Sequence, residues 1–235
     1  SVKFRMIAIA LLSATMPFTA KAQDKVEASV GADFVSNYIW RGTDCGGVSI
    51  QPSMGVSYKG LSLAAWGSVG IDKEDAREID LTLGYNTGGF NVSVTDYWFS
   101  YHKEDGGYTG DYFKYGAHST IHIFEATLGY DFGPLALSWN TYFAGDDYTK
   151  ENGDRAYSTY VGISAPFKLG GLDWSAEVGL TPWEGAYANK FNITNLTLKA
   201  EKEIKFTNSF SLPTFAQVTF NPHTQGAYFV FGVSF

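Results

Sequence analysis

Four histidines are the residues of this sequence best suited to act as general bases: His102, His118, His122 and His223. Two of them, His118 and His223, are followed directly by a hydroxyl residue, as a hydrolase pair would need. Neighbouring residues on a β-strand point to opposite faces, so adjacency in the sequence argues against contact. The sequence contains no Gly-x-Ser-x-Gly nucleophile motif. We therefore predict no catalytic residues and a protein that is not an enzyme.

Residue types that bind metal ions are grouped at two places. An acidic segment could bind calcium but lacks the spacing of an EF-hand loop: Asp146, Asp147, Glu151, Asn152 and Asp154. His118 and His122 have the spacing of zinc ligands on a helix, yet the pattern around them is that of a strand. We therefore expect no metal site and no cofactor. The single cysteine, Cys45, has no second cysteine with which to form an internal disulfide.

The segments that carry these residues alternate between apolar and polar side chains with a period of two, which is typical of β-strands. For example, Ile79, Leu81 and Leu83 alternate with Asp80 and Thr82. Many of the segments approach the roughly 9–11 residues with which a tilted strand crosses a bilayer. Twelve strands are predicted, at about residues 24–41, 48–59, 61–72, 77–86, 89–101, 118–131, 135–145, 155–167, 171–182, 190–204, 208–221 and 226–235.

The connections between the predicted strands alternate in length. Tight turns are expected at residues 59–60, 86–89, 131–134, 168–171 and 205–208, and longer polar loops at residues 42–47, 72–77, 102–117, 146–154, 183–189 and 222–225. Short turns at one end and longer loops at the other are typical of transmembrane barrels. The sequence therefore predicts an all-β fold, a twelve-stranded antiparallel barrel of the outer-membrane type, with both chain ends on the periplasmic side.

The composition agrees with a barrel and excludes other classes of protein. The chain has 235 residues and is 45% hydrophobic, 17% aromatic and only 17% charged. That apolar content excludes a disordered chain, and no apolar run approaches the roughly 18–20 residues of a spanning helix. The net charge of −7 excludes a strongly basic nucleic-acid-binding protein. In a membrane barrel, charge is needed only in the lumen and the loops.

The first 22 residues have the features of a signal peptide. Lys3 and Arg5 precede an apolar stretch at residues 6–18, and Ala20-Lys21-Ala22 has the pattern that signal peptidase cleaves. We therefore expect residues 1–22 to be removed after export. Residues 23–235 would then form one barrel domain in the outer membrane of a bacterium with two membranes.

The last predicted strand ends on an aromatic residue. Apolar residues occupy one of its faces: Ala227, Phe229, Phe231, Val233 and Phe235. This arrangement resembles the signal that the barrel-insertion machinery reads at the C-terminus of its substrates. The expected partners are therefore outer-membrane lipid, the insertion machinery through Phe235, and small solutes, but not nucleic acid. A monomer is favoured.

If the apolar faces contact lipid, eight ionisable residues line the lumen and are candidates for selectivity: Glu27, Asp33, Arg41, Asp80, Glu125, Asp173, Glu177 and Lys199. Because acids outnumber bases among them, we expect a porin-like channel for passive diffusion of small polar or cationic solutes. The alternative is a closed interior in which Arg41, near the outer end, and Lys199 neutralise the acids. Bulky inward residues such as Trp66 and Tyr97 would favour that closed interior, so both alternatives stay open.

The outer loops carry aromatic residues that are suited to contacts with glycans or proteins: Tyr108, Tyr112, Phe113, Tyr115, Trp183 and Tyr187. These rings could equally pack over the mouth of the barrel. The longest loop, residues 102–117, is expected to act as a constriction or lid. The alternative function is a plugged structural or surface-binding barrel that binds through these loops.

One stretch near the N-terminus resembles the opening strand of a known family. Residues 31–42 read GADFVSNYIWRG, and the likeness continues through QPS at 51–53, AAWGS at 64–68 and EIDLTLGY at 78–85. Over its first hundred residues the chain resembles the TorF-type porins, a family of bacterial outer-membrane barrels. Asn37 stands where many members carry Asp, and Cys45 is unusual. The resemblance implies a barrel that acts as a porin and does not supply a substrate.

Overall fold

The computed structural model describes residues 24–235, and the predicted signal peptide at residues 1–22 lies outside them. The described chain is all-β. Its strands are β1 (Glu27–Val35), β2 (Tyr38–Trp40), β3 (Thr43–Gly46), β4 (Ser49–Tyr58), β5 (Leu61–Gly70), β6 (Arg77–Thr87), β7 (Phe90–Ser100), β8 (Ile123–Asp131), β9 (Ala136–Gly145), β10 (Thr159–Leu169), β11 (Leu172–Thr181), β12 (Asn192–Lys205), β13 (Ser211–Asn221) and β14 (Gly226–Ser234). Within residues 24–235, no helix has the length and apolar character needed to span a membrane.

Twelve of these strands form a closed antiparallel barrel in the order β1-β14-β13-β12-β11-β10-β9-β8-β7-β6-β5-β4. The barrel closes through β1, which pairs with β14 on one side and with β4 on the other. Strands β2 and β3 form a separate two-stranded sheet. The predicted twelve-stranded antiparallel barrel is confirmed.

The first predicted strand, residues 24–41, is wrong at its end. β1 ends at Val35, and the chain then turns into the β2–β3 hairpin. At the tip of this hairpin, Arg41 and Gly42 have φ values of 50° and 80°. Two consecutive left-handed residues are what a tight two-residue hairpin turn requires. Between Val35 and this turn the sequence reads SNYIW, so the alternation breaks at Ser36-Asn37 and the predicted strand ran past that signal.

The connections differ at the two ends of the barrel. The short-turn end holds the connections at residues 59–60, 88–89, 132–135, 170–171 and 206–210, and β1 begins and β14 ends there. The long-loop end holds the connections at residues 36–48, 71–76, 101–122, 146–158, 182–191 and 222–225. This asymmetry is typical of outer-membrane-type barrels.

The barrel is apolar outside and polar inside. On β6, the outward Leu83 is 53% exposed, whereas the inward Asp80 is 2% exposed. Exposed aromatic side chains lie near both ends of the wall: Tyr58, Tyr85, Tyr130, Phe132 and Phe167 at the short-turn end, and Phe143, Phe191 and Phe220 at the long-loop end. An apolar outer surface with aromatic residues near both edges matches a lipid bilayer and its two interfaces.

Polar side chains hydrogen-bond across neighbouring strands inside the barrel. The Thr82 and Thr95 hydroxyls lie 2.9 Å apart, and Thr127 Oγ1 donates to Asn140 Oδ1 at 2.8 Å. A buried polar group without a partner is costly, so such pairs are needed wherever the interior excludes water. The polar face predicted from the alternation therefore forms the packed interior.

Candidate functional site

The first long loop enters the barrel. Residues 36–48, which we call the lumen hairpin, contain β2 and β3 and extend from the end of β1. Arg41, at the tip of the hairpin, reaches Glu125 on β8. Around the barrel, β8 is five strands from β1 in one direction and seven in the other, which is nearly opposite. The Arg41 side chain therefore reaches from the hairpin tip toward the opposite wall of the lumen.

A two-pronged ion pair fixes the tip of the lumen hairpin. Arg41 Nη1 donates to Glu125 Oε2 at 2.6 Å, and Arg41 Nη2 donates to Glu125 Oε1 at 2.9 Å. The two side chains are 3% and 1% exposed. Burial alone would lower the pKa of Arg41, but the Glu125 carboxylate outweighs this effect and raises that pKa well above its ordinary value. Arg41 is therefore charged in this site.

Aromatic rings surround the Arg41 guanidinium. Its carbon lies 4.4 Å from the ring centre of Trp40, 4.7 Å from Tyr160 and 5.9 Å from Tyr187, which are cation–π distances. We call the whole set the Arg41 layer, and it consists of Trp40, Arg41, Tyr97, Glu125, Tyr142, Tyr160 and Tyr187. Tyr97, Tyr142 and Tyr160 are buried as well. The layer therefore packs side chains from the hairpin, the wall and an outer loop against one another inside the barrel.

Hydroxyl groups complete the Arg41 layer. Tyr97 Oη donates to Glu125 Oε1 at 2.9 Å, and the guanidinium donates to Tyr187 Oη at 2.6 Å. Tyr187 Oη in turn donates to Tyr142 Oη at 3.2 Å. Burial raises the pKa of Tyr187 to about 12, even though the Arg41 charge opposes this rise. Tyr187 therefore stays a neutral hydrogen-bonding group, and through it the loop at residues 182–191 contributes to the Arg41 layer.

The turn of the lumen hairpin is packed against the wall. A Cβ atom on Gly42 would lie 1.9 Å from the Thr194 carbonyl oxygen, so no larger residue fits there. The Gly42 carbonyl accepts a hydrogen bond of 3.1 Å from Asn221 Nδ2. The hairpin tip is therefore seated by backbone contacts as well as by the ion pair.

Two further predicted acids lie beside the Arg41 layer. Glu177 accepts hydrogen bonds from Tyr160 Oη at 2.5 Å and from Asn195 Nδ2 at 3.3 Å. Asp80 is buried on β6, and neither of its carboxylate oxygens has a hydrogen-bond partner. Glu177 is thus satisfied by neutral donors, whereas Asp80 is not.

The other predicted lumen residues lie away from the closed level. Asp33 stands opposite the buried Gln51 in the pairing of β1 with β4, and Glu27 is exposed at the start of β1. Two ion pairs lie nearer the short-turn end. Lys199 Nζ is 2.6 Å from Glu201 Oε1, and Lys168 Nζ is 2.5 Å from Asp173 Oδ1. Their side chains are 22–33% and 43–73% exposed, so water reaches this part of the molecule.

The longest loop, expected to constrict the lumen, packs on the outside of the barrel instead. Tyr112 packs against Trp98, with ring centres 5.3 Å apart, and Tyr115 Oη donates to Asp96 Oδ2 at 3.2 Å. Trp98 and Asp96 pair across β6 with the outward-facing Ile79 and Leu81. The prediction that residues 102–117 form the lid is therefore wrong, because the loop's anchoring partners face away from the lumen.

The remaining loop aromatics differ in exposure. Phe113 is 89% exposed, and Tyr108 stacks on Arg77. Trp183 Nε1 donates to the carbonyls of residues 156 and 157 and remains partly exposed. Of the six predicted loop contacts, Tyr187 is the one that turns inward to the Arg41 layer.

The predicted site residues did not include four aromatic members of the Arg41 layer, Trp40, Tyr97, Tyr142 and Tyr160, nor Glu78 and Gly42. Glu78 lies two residues before Asp80 and so shares its inward face, a relation that the period of two already contains. Gly42 follows Arg41, and this glycine directly after the Tyr38–Arg41 stretch is a local signal from which a turn could have been predicted. Among residues 24–235, no three histidine, cysteine, aspartate or glutamate side chains are grouped so as to hold a metal ion.

Comparison with known proteins identified no relative: no protein-family model and no curated protein sequence matches the chain. The resemblance to the TorF-type porins stays a prediction.

Proposed function

We propose that this protein is a gated, porin-like channel of the outer membrane for small polar or cationic solutes, and that the lumen hairpin closes it. The observation that carries the proposal is the Arg41–Glu125 pair, a buried ionic contact between a loop and the opposite wall. Replacing a buried ion pair with apolar residues is often neutral or stabilising, so such a pair is weak evidence for a purely structural role. A reversible polar contact is suited to a segment that must leave.

The membrane setting is supported by the outer surface. Soluble monomers rarely expose contiguous apolar patches larger than a few hundred Å². Here the outward faces of neighbouring strands expose a continuous set of large apolar side chains, which includes Leu63, Ile79, Leu81, Leu83, Val92 and Val94. A lipid bilayer is the solvent that such a surface fits.

The preference for cations is supported by the charges at the closed level. Glu78, Asp80, Glu125 and Glu177 are acidic, and the base in contact with this group is Arg41 on the hairpin. When the hairpin leaves the lumen, Arg41 leaves with it. The wall then presents carboxylates alone, which attract cations in a narrow low-dielectric channel.

Conductance across a planar bilayer tests the proposal. The refolded wild-type barrel should show rare openings, whereas a variant with a short Gly-Ser turn in place of residues 38–46 should conduct continuously. In a salt gradient, the reversal potential of that variant should indicate cation preference. A hairpin-deleted barrel that is folded but does not conduct would overturn the channel, and anion preference would overturn the acidic selectivity.

A second candidate is a plugged barrel that binds glycans or proteins through its outer loops. It is favoured by the aromatic loop at residues 101–122, where Phe113 is 89% exposed beside Tyr112 and Tyr115. Aromatic rings on such loops suit stacking on sugars. This candidate becomes the better one if the hairpin-deleted barrel does not conduct.

A further inference from the structure

Two carboxyl groups meet under the lumen hairpin without a counter-charge. Glu78 and Asp80 lie on the inward face of β6 and are 4% and 2% exposed. Because they are two residues apart on one strand, their side chains are neighbours on the same face. No donor contacts either oxygen of Asp80. The pair is therefore buried and has an unmet need for positive charge or for a proton.

The surroundings of the pair supply acidic or neutral groups. From the lumen hairpin, the Tyr38 hydroxyl reaches Glu78, and Cys45 and Asp44 lie close by. From the wall and loops, the pair faces Tyr97 on β7, which stands opposite Asp80, together with Glu125 on β8 and Tyr101. Asp96 adds negative charge from the outer face of β7. The lumen hairpin does carry a guanidinium, that of Arg41, but both of its Nη atoms donate to Glu125 and not to this pair.

A carboxylate can only accept hydrogen bonds, whereas a protonated carboxyl can also donate one. Two ionised carboxylates in contact in a dry site repel each other, and such pairs commonly retain one proton between them. The contact between Glu78 and Asp80 therefore requires a proton or a cation. The tight burial of the Asp80 oxygens favours the proton, because a proton needs no additional volume.

We propose that Glu78 and Asp80 bind one shared proton at neutral pH, and that this proton holds the lumen hairpin in its closed position. When the pH rises, the proton passes to bulk water and the pair carries two negative charges. These charges must then be hydrated, and the hairpin that covers them, with Asp44 and Tyr38, is displaced. Closure is thus present at low pH and is lost as the pH rises. The proton site stands on its own geometry, and its coupling to opening rests on the gated channel proposed above.

Infrared difference spectroscopy of the folded barrel tests the proton site. At neutral pH, the wild type should show the C=O stretching band of a protonated carboxyl, and this band should disappear in Asp80→Asn and in Glu78→Gln. Each amide donates to the remaining carboxylate and so replaces the proton. Glu201→Gln, which changes an ion-paired lumen glutamate near the short-turn end, is the matched control and should keep the band.

A wild type without that band, or a band that survives in both variants, would overturn the proton site. So would carboxylate bands that shift with millimolar Ca²⁺ in the wild type but not in Asp80→Asn, since the site would then bind a cation. As a folding control, each variant should migrate on electrophoresis as the folded barrel when it is not heated and should shift to the unfolded position after heating.

Conductance measured against pH tests the coupling. Openings of the wild type should become more frequent from mildly acidic to mildly alkaline pH, and those of Glu78→Gln should not change with pH. If the band is present but wild-type openings do not depend on pH, the coupling is wrong. If even the hairpin-deleted barrel does not conduct, the proposed channel fails while the infrared result still decides the proton site.

Discussion

Glu125→Gln should release the lumen hairpin, because it leaves the buried Arg41 guanidinium without its carboxylate. Removal of one partner from a buried ion pair costs about 3–5 kcal/mol. Arg41 regains water when the hairpin leaves, so this cost falls on the closed state. At about 1.4 kcal/mol for each factor of ten, the ratio of closed to open hairpin should fall by about 140-fold to about 4000-fold.

Cys45, the single cysteine of the chain, provides the assay without an engineered labelling site. It lies on the lumen hairpin, and burial, followed by the nearby charges of Glu78 and Asp44, raises its pKa to about 12. The thiolate is the reactive form, so maleimide should label the closed protein slowly. A released hairpin restores the ordinary pKa of about 8.5 and increases the thiolate fraction at neutral pH by roughly three powers of ten.

Glu201→Gln is the control for this measurement. It makes the same chemical change at a glutamate that also contacts a base inside the barrel, Lys199 at 2.6 Å. Because that pair is partly exposed, its loss should cost at most about 1 kcal/mol, and it does not contact the hairpin. Labelling of Glu201→Gln should match the wild type. If Cys45 in Glu125→Gln is labelled no faster than in this control, the ion pair does not hold the hairpin.

Two further predictions concern the hairpin turn and the outer loop. Gly42→Ala should also accelerate labelling of the hairpin thiol, since its Cβ would clash with a wall carbonyl at 1.9 Å; Gly153→Ala, which has the same left-handed backbone but open space around it, should not. His122 has a polar contact at each ring nitrogen, the Asp96 carboxylate at 2.6 Å and the Tyr112 carbonyl at 2.7 Å, and so links the loop to the wall. His122→Gln should therefore free the loop at residues 101–122 and speed its cleavage by trypsin, whereas the exposed His118→Gln should leave the cleavage rate unchanged; equal rates for the two variants would contradict this anchoring role.

The barrel could be predicted from the sequence because its signals are local. The alternation of residues such as Ile79 and Asp80 assigns each strand and both of its faces, whatever the partner strand is. Turn residues such as Lys59 and Gly60 then mark where a strand must reverse, and both have left-handed backbone angles in the structure. These signals were enough to predict twelve strands, their order of connection and a polar interior.

The two predictions that failed depended on contacts between distant segments. The loop at residues 101–122 is rich in aromatic residues, and such rings pack equally well over a barrel mouth or against its outer wall. Only the outward direction of Trp98 and Asp96 decides which one occurs. In the same way, the aromatic and β-branched residues Tyr38, Ile39 and Trp40 are consistent with a longer strand, until the turn at Gly42 is placed against the wall.

The sequence by itself thus determined which side chains face inward, because the direction of a side chain on a strand depends only on its position along the chain. The sequence also predicted Arg41 and Glu125 as lumen residues, but it did not predict that they contact each other. These residues are 84 positions apart and come together only when the barrel closes. A buried guanidinium requires a carboxylate, and the closed wall offers one at the far side, within reach of a hairpin of this length.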